Sequence, residues 1–356
     1  MRRKRSRRHL ALGFVLGLLY LLVFPVLSGR EGFFKPAWAR AIPGGGPPAP
    51  VGGAGRLCWF KAGRWFGYVR ADGGLTYTAE TLHGVALSDS GFINFAKVAE
   101  DFVFQDPAGR FLFGVHAFGY PVLDEGGQRL YSVSTSLNRI SRLDRDGELA
   151  WSGEFFSPIT SLALHEDECL VGLLDGTVKL IDVQGKIIQE LVPQSSRIPV
   201  ILATAFSPDG RKLAVVSGID PQRLTLLQRR GGSFAAEQVL ELGSDFRRGL
   251  LLRFTADGRF LAFEAPDGLS LLDLGKRGSG RLALSGRLLA LDSSASGLLA
   301  VGSRDGEGSR LELLRPLGSP LYAREVAAGE LFLRFDGTGL LIGLPSILLR
   351  VDYQEG

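Results

Sequence analysis

Sulfur and histidine are scarce in this chain: 356 residues hold two cysteines, one methionine and four histidines. Cys58 and Cys169 are too few for the disulfide framework that holds small secreted domains together. A single bridge is allowed outside the cytoplasm. Both cysteines, however, lie in apolar, strand-like stretches, which favours buried free thiols. His9, His83, His116 and His165 stand far apart, and no pair has a metal-ligand spacing. There is no glycine-rich phosphate loop and no serine nucleophile elbow.

The body also lacks an excess of charge. The formal net charge is +4. Arg2, Arg3, Lys4, Arg5, Arg7 and Arg8 supply six of the 41 basic residues, leaving 35 basic against 37 acidic in the rest of the chain. A near-neutral body carries no basic footprint for nucleic acid.

The basic start has another use. It precedes Leu10–Leu27, eighteen residues without a charge, at the lower edge of what spans a bilayer as a helix. Basic residues before the run keep the N-terminus cytoplasmic and place the rest across the membrane. An uncleaved anchor is the favoured reading, with a removed signal peptide as the alternative. Val26-Leu27-Ser28 after Pro25, or the more distant Ala39-Arg40-Ala41, would be the cleavage site. Ser6-Arg7-Arg8-His9-Leu10 loosely resembles a twin-arginine export signal, a cheap match in so basic a stretch. No cysteine follows the apolar run, which argues against a lipoprotein.

The expected organisation is a basic cytoplasmic tail (1–9), a transmembrane anchor or signal segment (10–28), a Pro/Gly-rich linker (29–55) and a folded domain (56–356). Pro43 to Gly55 is almost wholly Pro, Gly and Ala and cannot pack a core. Phe33, Phe34 and Trp38 suit either the bilayer interface or an edge strand at the start of the fold, and the sequence leaves both open.

From Arg56 onward only strand signals appear. AFSPDGRKLAVV (Ala205 to Val216) returns in altered form as LRFTADGRFLAFE (Leu252 to Glu264), and weaker copies start at Phe102, Pro121, Ser161, Leu289 and Leu331. Each is an apolar strand, a turn with Asp or Gly, and a second apolar strand. Gly210, Gly258, Gly297 and Gly339 recur at about forty residues, the period of a four-stranded propeller blade. The fold class is therefore all-β, a β-propeller preceded by one N-terminal hydrophobic helix. Leu57–Asp89, ending in GVALS, reads as a first blade, and the count comes to seven four-stranded blades. Six or eight stay open because Phe92 to Pro121 does not divide cleanly. The last unit, Leu331 to Tyr353, has three strands. An open edge of that kind invites aggregation, so a segment before Leu57, or the first strands after it, is expected to complete it.

At these residues the chain resembles the WD-repeat, quinoprotein-like and lactonase-like propeller superfamily. FSPDGRKLAVVSG and LDGTVKLIDVQGKII (Leu174 to Ile188) are similar to WD-type strands. ISRLDRDGELAW (Ile140 to Trp151) is similar to a quinoprotein-type blade, where a Gly-containing turn leads into a Trp strand. The strict Trp-Asp and Gly-His pairs are absent, which marks a diverged branch. The resemblance implies the fold and little about function. Quinone-binding relatives need Trp-rich blades, but only Trp38, Trp59, Trp65 and Trp151 are present and asparagine is rare. No cofactor is expected.

Asp144, Asp146, Asp209, Asp257, the pair Asp124-Glu125 and the cluster Glu166-Asp167-Glu168 read as turn carboxylates. Arg229-Arg230 and Arg247-Arg248 read as loop charges. Phe92, Phe95, Phe102, Phe104, Phe118 and Tyr120 cluster in the irregular stretch. They are core if buried and the best candidate partner site if exposed. The leading expectation is a membrane-tethered, non-catalytic propeller. It would serve as a protein-interaction scaffold on the outer side of a bacterial inner membrane, with an envelope or periplasmic protein as partner. The alternatives are a metal-dependent, lactonase-like hydrolase working at the central channel and a small-ligand or glycan-binding sensor.

Overall fold

The computed structural model describes residues 33–42, 56–97, 101–116, 119–194, 196–276, 278–284, 286–306, 308–318, 320–326 and 329–354. The basic tail, the apolar run Leu10–Leu27 with its expected helix, and Pro43 to Gly55 lie outside these residues. Among the described residues no helix is long and apolar enough to cross a membrane. The chain divides into a main unit, Pro36–Asp352, and a small one of Met1–Lys35 with Tyr353–Gly356. In the small unit Phe34 tilts against Tyr353 with ring centroids 5.1 Å apart.

The described strands form eight antiparallel sheets, seven of four strands and one of three. They are the blades of an eight-bladed propeller, one more than the repeat count suggested. The extra blade comes from the stretch that would not divide. Gly84–Leu87, read as the end of the first blade, is instead the inner strand of blade 2, followed by Phe92–Phe95, Asp101–Gln105 and Phe111–His116. The crossing from Glu80 to Gly84 is as short as a hairpin, which hid the boundary. Asn94 clamps it: its side chain accepts from Leu82 N at 3.0 Å and donates to Glu80 O at 2.9 Å. Blades 3 to 7 start at Tyr120, Ile159, Ile198, Leu252 and Arg287.

Blade 8 is completed as expected, by a segment before Leu57. Phe33–Ala41 is its outer strand, beside Ile347–Gln354, Gly339–Leu344 and Phe332–Asp336. The sheet thus reaches back into the stretch expected as linker, and Trp38 belongs to an edge strand. Its Nε1 donates to Ala71 O at 2.8 Å.

In a four-stranded meander the first and third hairpins lie at one end, and the second hairpins and blade-to-blade crossings at the other. These ends form two faces, called here the hairpin face and the crossing face. On the hairpin face a repeated contact joins successive blades. Gly73, Gly109, Gly147 and Gly185 all have positive φ, between 79° and 85°, which favours glycine. A Cβ on each would meet Trp38, Tyr77, Phe113 and Trp151, at 2.9, 2.3, 3.1 and 2.7 Å respectively. Each ring comes from the outer strand of the preceding blade and lies on the third-hairpin glycine of the next. The pattern also identifies blade 1 (Leu57–Ala62, Trp65–Arg70, Leu75–Glu80). Its Gly73 turn holds the third-hairpin position, so its three strands match the outer three of a full blade.

The core is distributed between blades. Phe66, Tyr68 and Phe92 fill the joint of blades 1 and 2. Ile93, Phe102, Phe104, Val115, Leu130 and Leu143 fill the next. Tyr131, Ile140, Cys169 and Val171 join blades 3 and 4, and Leu170, Leu180, Ile201 and Val215 join 4 and 5. Similar clusters join 5 to 6, 6 to 7 and 8 to 1. Full burial of each such side chain contributes roughly 1.5–3 kcal/mol. Near-continuous apolar strands are the expected result of burial on both faces.

Candidate functional site

At the hairpin-face end of the inner strands, side chains from six blades meet near the axis. Arg253, on the inner strand of blade 6, donates through Nη2 to Glu125 Oε1 in blade 3 at 3.3 Å and lies 3.2 Å from Asp292 Oδ1 in blade 7. Blades 3 and 6 are not neighbours, so this contact crosses the channel. Asp292 Oδ2 accepts from Phe335 N of blade 8 at 2.6 Å. Arg334 donates to Asp89 Oδ1 in blade 2 at 2.7 Å, and its guanidinium stacks 4.0 Å over the Trp59 ring. Arg56 reaches the other Asp89 oxygen at 3.4 Å.

Burial raises the Asp292 carboxyl above its ordinary value, and the Arg253 guanidinium opposes that shift. Arg56, Arg253 and Arg334 match Asp89, Glu125 and Asp292 one for one, so the network has no surplus charge to offer a charged ligand. It braces the ring across its axis. Glu125 had read as a plain turn carboxylate. Its partner stands 128 residues away, beyond any local signal.

Asp144, Asp209 and Asp257 are turn residues as expected, whereas Glu168 opens a strand. Asp144 Oδ1 accepts from Asp146 N and Glu148 N, both at 2.9 Å. Asp209 and Asp257 accept from Arg211 N and Arg259 N at 3.1 and 3.0 Å. The acidic cluster is taken up by cations, with Asp167 bound by Arg129 at 2.9 Å and Glu168 paired with Arg229. Arg248, expected as a loop charge, pairs with buried Glu264. The histidines do not converge. His83 and His165 lie against Phe95 and Phe206, and His116 bonds Asp101. Among the described residues no three His, Cys, Asp or Glu are placed to hold a metal.

The aromatic cluster offered as a partner site is core. Phe92, Phe102 and Phe104 are buried, and Phe95 and Tyr120 are half-buried. Phe118 lies outside the described residues. The stretch holds the outer three strands of blade 2 and the start of blade 3, and its rings fill joints on both sides: Phe92 lies 5.0 Å from both Phe66 and Tyr77, and Phe104, stacked on Phe113 at 5.0 Å, packs with Leu130 and Leu143.

Five of the exposed apolar residues lie on the crossing face of blades 3 to 5. Leu137 (second hairpin of blade 3), Phe156 (crossing to blade 4), Leu174 (second hairpin of blade 4), Val192 (crossing to blade 5) and Ile198 are 40, 112, 49, 74 and 44% exposed. Hydrogen bonds tie these loops together. Phe155 N donates to Asn138 O at 2.8 Å, Leu174 N to Pro158 O at 2.9 Å, and Asp175 N to Ser157 Oγ at 2.9 Å. Sequence reasoning missed this patch because its members come from four separate short connections.

Ring closure, interblade cores and this rigid loop face define a β-propeller with a candidate binding face and no assembled catalytic cluster among the described residues. A sequence model of the β-propeller protein family matches residues 1–356, and the chain belongs to that family. It is 24% identical over 264 residues to an uncharacterized protein of Treponema pallidum (strain Nichols), covering 72% of this chain and 70% of that protein. Among solved structures it is similar to BamB from Moraxella catarrhalis, at TM-score 0.60 and 16% identity, covering 90% of this chain and all of that one. It is also similar to the computationally designed Ika8 protein, at TM-score 0.62 and 17% identity, covering 88% and 98% of the two chains. The dihydro-heme d1 dehydrogenase NirN, solved in complex with DHE, matches at TM-score 0.56 and 16% identity, covering 74% and 60%. At these identities the likenesses concern the fold alone.

Proposed function

We propose that this protein is a protein-binding propeller on the outer side of a bacterial inner membrane, tethered there by Leu10–Leu27. The observation that carries the binding role is the crossing-face patch, above all Phe156, whose ring is wholly exposed. Contiguous exposed apolar surface on a soluble domain marks an interaction site, and aromatic anchors dominate interface energies. The tether reading rests on the basic residues before an uncharged run of spanning length.

The test is a photo-crosslinking amino acid placed at Phe156 in the full-length protein, irradiated in intact cells. A discrete adduct is expected, absent when the probe sits at exposed Phe111 on the rim. Equal labelling from both positions would refute a dedicated face. Alkaline extraction of membranes tests the tether: the full chain should stay with the bilayer, and its release would refute the anchor.

A further inference from the structure

Accepting that binding role, we infer that the crossing-face patch takes a short, uncharged, apolar polypeptide segment rather than a charged peptide, an anionic polymer or a lipid surface. The charges bordering the patch set the class of partner. Arg139 pairs with Glu154 at 3.1 Å and Arg197 with Asp220 at 3.4 Å. The Asp175 carboxylate is turned onto its own loop, accepting from Thr177 N at 2.9 Å and Thr177 Oγ1 at 2.8 Å. Each of these cations has its anion, so an anionic partner would have to break an existing pair to gain a new one, and the Asp175 carboxylate is already occupied by Thr177. A membrane-binding face would instead show free Lys or Arg around its apolar residues.

Size points the same way. The five side chains expose on the order of 500 Å², below the ~800 Å² per partner of a standard stable interface. That area matches a segment of a few residues with two or three apolar anchors, not a whole globular face. Between the apolar residues stand uncharged polar side chains, Ser136, Asn138 and Ser157, which bond within their own loops and add no charge to the patch.

The patch is also pre-formed, which lowers the cost of binding. Leu137 has a φ of 58°. An L-residue other than glycine or asparagine takes that conformation at a cost of about 1–2 kcal/mol. Here the residue held so is a leucine that stays 40% exposed. Its backbone is fixed on both sides, since Leu137 N donates to Ser134 O at 2.8 Å and Leu137 O accepts from Ile159 N at 2.5 Å.

The experiment is selection of a random-peptide phage library on the full-length protein in nanodiscs, with depletion on the Phe156→Ser variant and on empty nanodiscs. Selected peptides should be apolar and close to zero net charge. A synthetic copy should bind within about twofold between ~0.05 and ~0.5 M salt. Phe156→Ser should weaken it at least tenfold, and Phe156→Trp should retain it. Charged peptides with salt-sensitive binding would overturn the inference. So would retention on Phe156→Ser, vesicle binding by the bare face, or no enrichment. If the Phe156 probe still crosslinks a protein in cells while no apolar peptide is selected, the scaffold role stands and the partner class falls.

Discussion

The contact of an outer-strand ring with the next blade's third-hairpin glycine can be separated from the backbone requirement of that glycine. Gly185 and Gly231 both stand in third hairpins, with φ of 83° and 64°. A Cβ on Gly185 would lie 2.7 Å from the Trp151 ring, whereas a Cβ on Gly231 would meet nothing within 4 Å. Alanine at either site bears the left-handed penalty of about 1–2 kcal/mol, offset by roughly 0.4–1 kcal/mol of lost freedom in the unfolded chain. Gly231→Ala should therefore cost about 1 kcal/mol. Gly185→Ala adds overpacking of about 1–3 kcal/mol, because Trp151 is held by its Nε1 bond to Val183 O at 3.0 Å and cannot swing clear. The total is about 2–4 kcal/mol. Urea unfolding with an unchanged m-value reads the difference. In a Trp151→Ala background the steric part should vanish while the backbone part remains, giving a coupling of about 1–3 kcal/mol. Equal losses at the two glycines, or no coupling, would refute the joint.

Three other outcomes follow from the interior. Arg253→Met strips Asp292 of its cation and should cost about 1–3 kcal/mol at neutral pH, a range reduced because Arg253 is partly exposed. Asp292 has a raised folded value, so its contribution is complete below the ordinary carboxylate value and is lost as pH rises through the raised one. The defect should thus grow with pH and be largely recovered by adding Asp292→Asn; a pH-independent defect between pH ~5 and ~8 would rule this out. Phe92→Ala should cost about 3–5 kcal/mol with no loss of peptide binding, and a mild variant with lost binding would return the aromatic cluster to the surface. Burial pushes the Cys58 thiol up to about 11 and raises Cys169 as well. Neither should react with a thiol reagent at pH ~8 until the protein unfolds, and rapid native labelling would contradict that burial.

What could be read from the sequence was local chemistry that repeats. In AFSPDGRKLAVV, Ser207 Oγ donates to Asp209 Oδ1 at 2.6 Å and accepts from Lys212 N at 2.8 Å. In LRFTADGRFLAFE, Thr255 makes the same two bonds with Asp257 and Phe260 N, at 2.5 and 3.0 Å. One turn solved twice in one way marks a repeat, and the fold follows from it. The blade number did not follow, because a three-residue crossing and a hairpin have the same length and composition. The axial brace did not follow either. Arg253, Glu125 and Asp292 become neighbours only once the ring closes, and no pattern within one repeat anticipates a contact across the channel.

The binding face shows the same limit at the scale of two residues. Phe155 and Phe156 are identical and adjacent, yet Phe155 is 7% exposed and Phe156 is 112% exposed. Phe155 enters the joint of blades 3 and 4 beside Tyr131 and Ile159. The crossing that anchors it turns the next side chain outward. A fully exposed phenylalanine forgoes roughly 1.5–3 kcal/mol of burial, and nothing among the described residues recovers it. The neighbouring residue shows that an apolar side chain can be buried at this crossing, so the exposure of Phe156 is a property of this backbone path. Covering Phe156 would recover that free energy, which is why the binding role proposed above rests on this side chain.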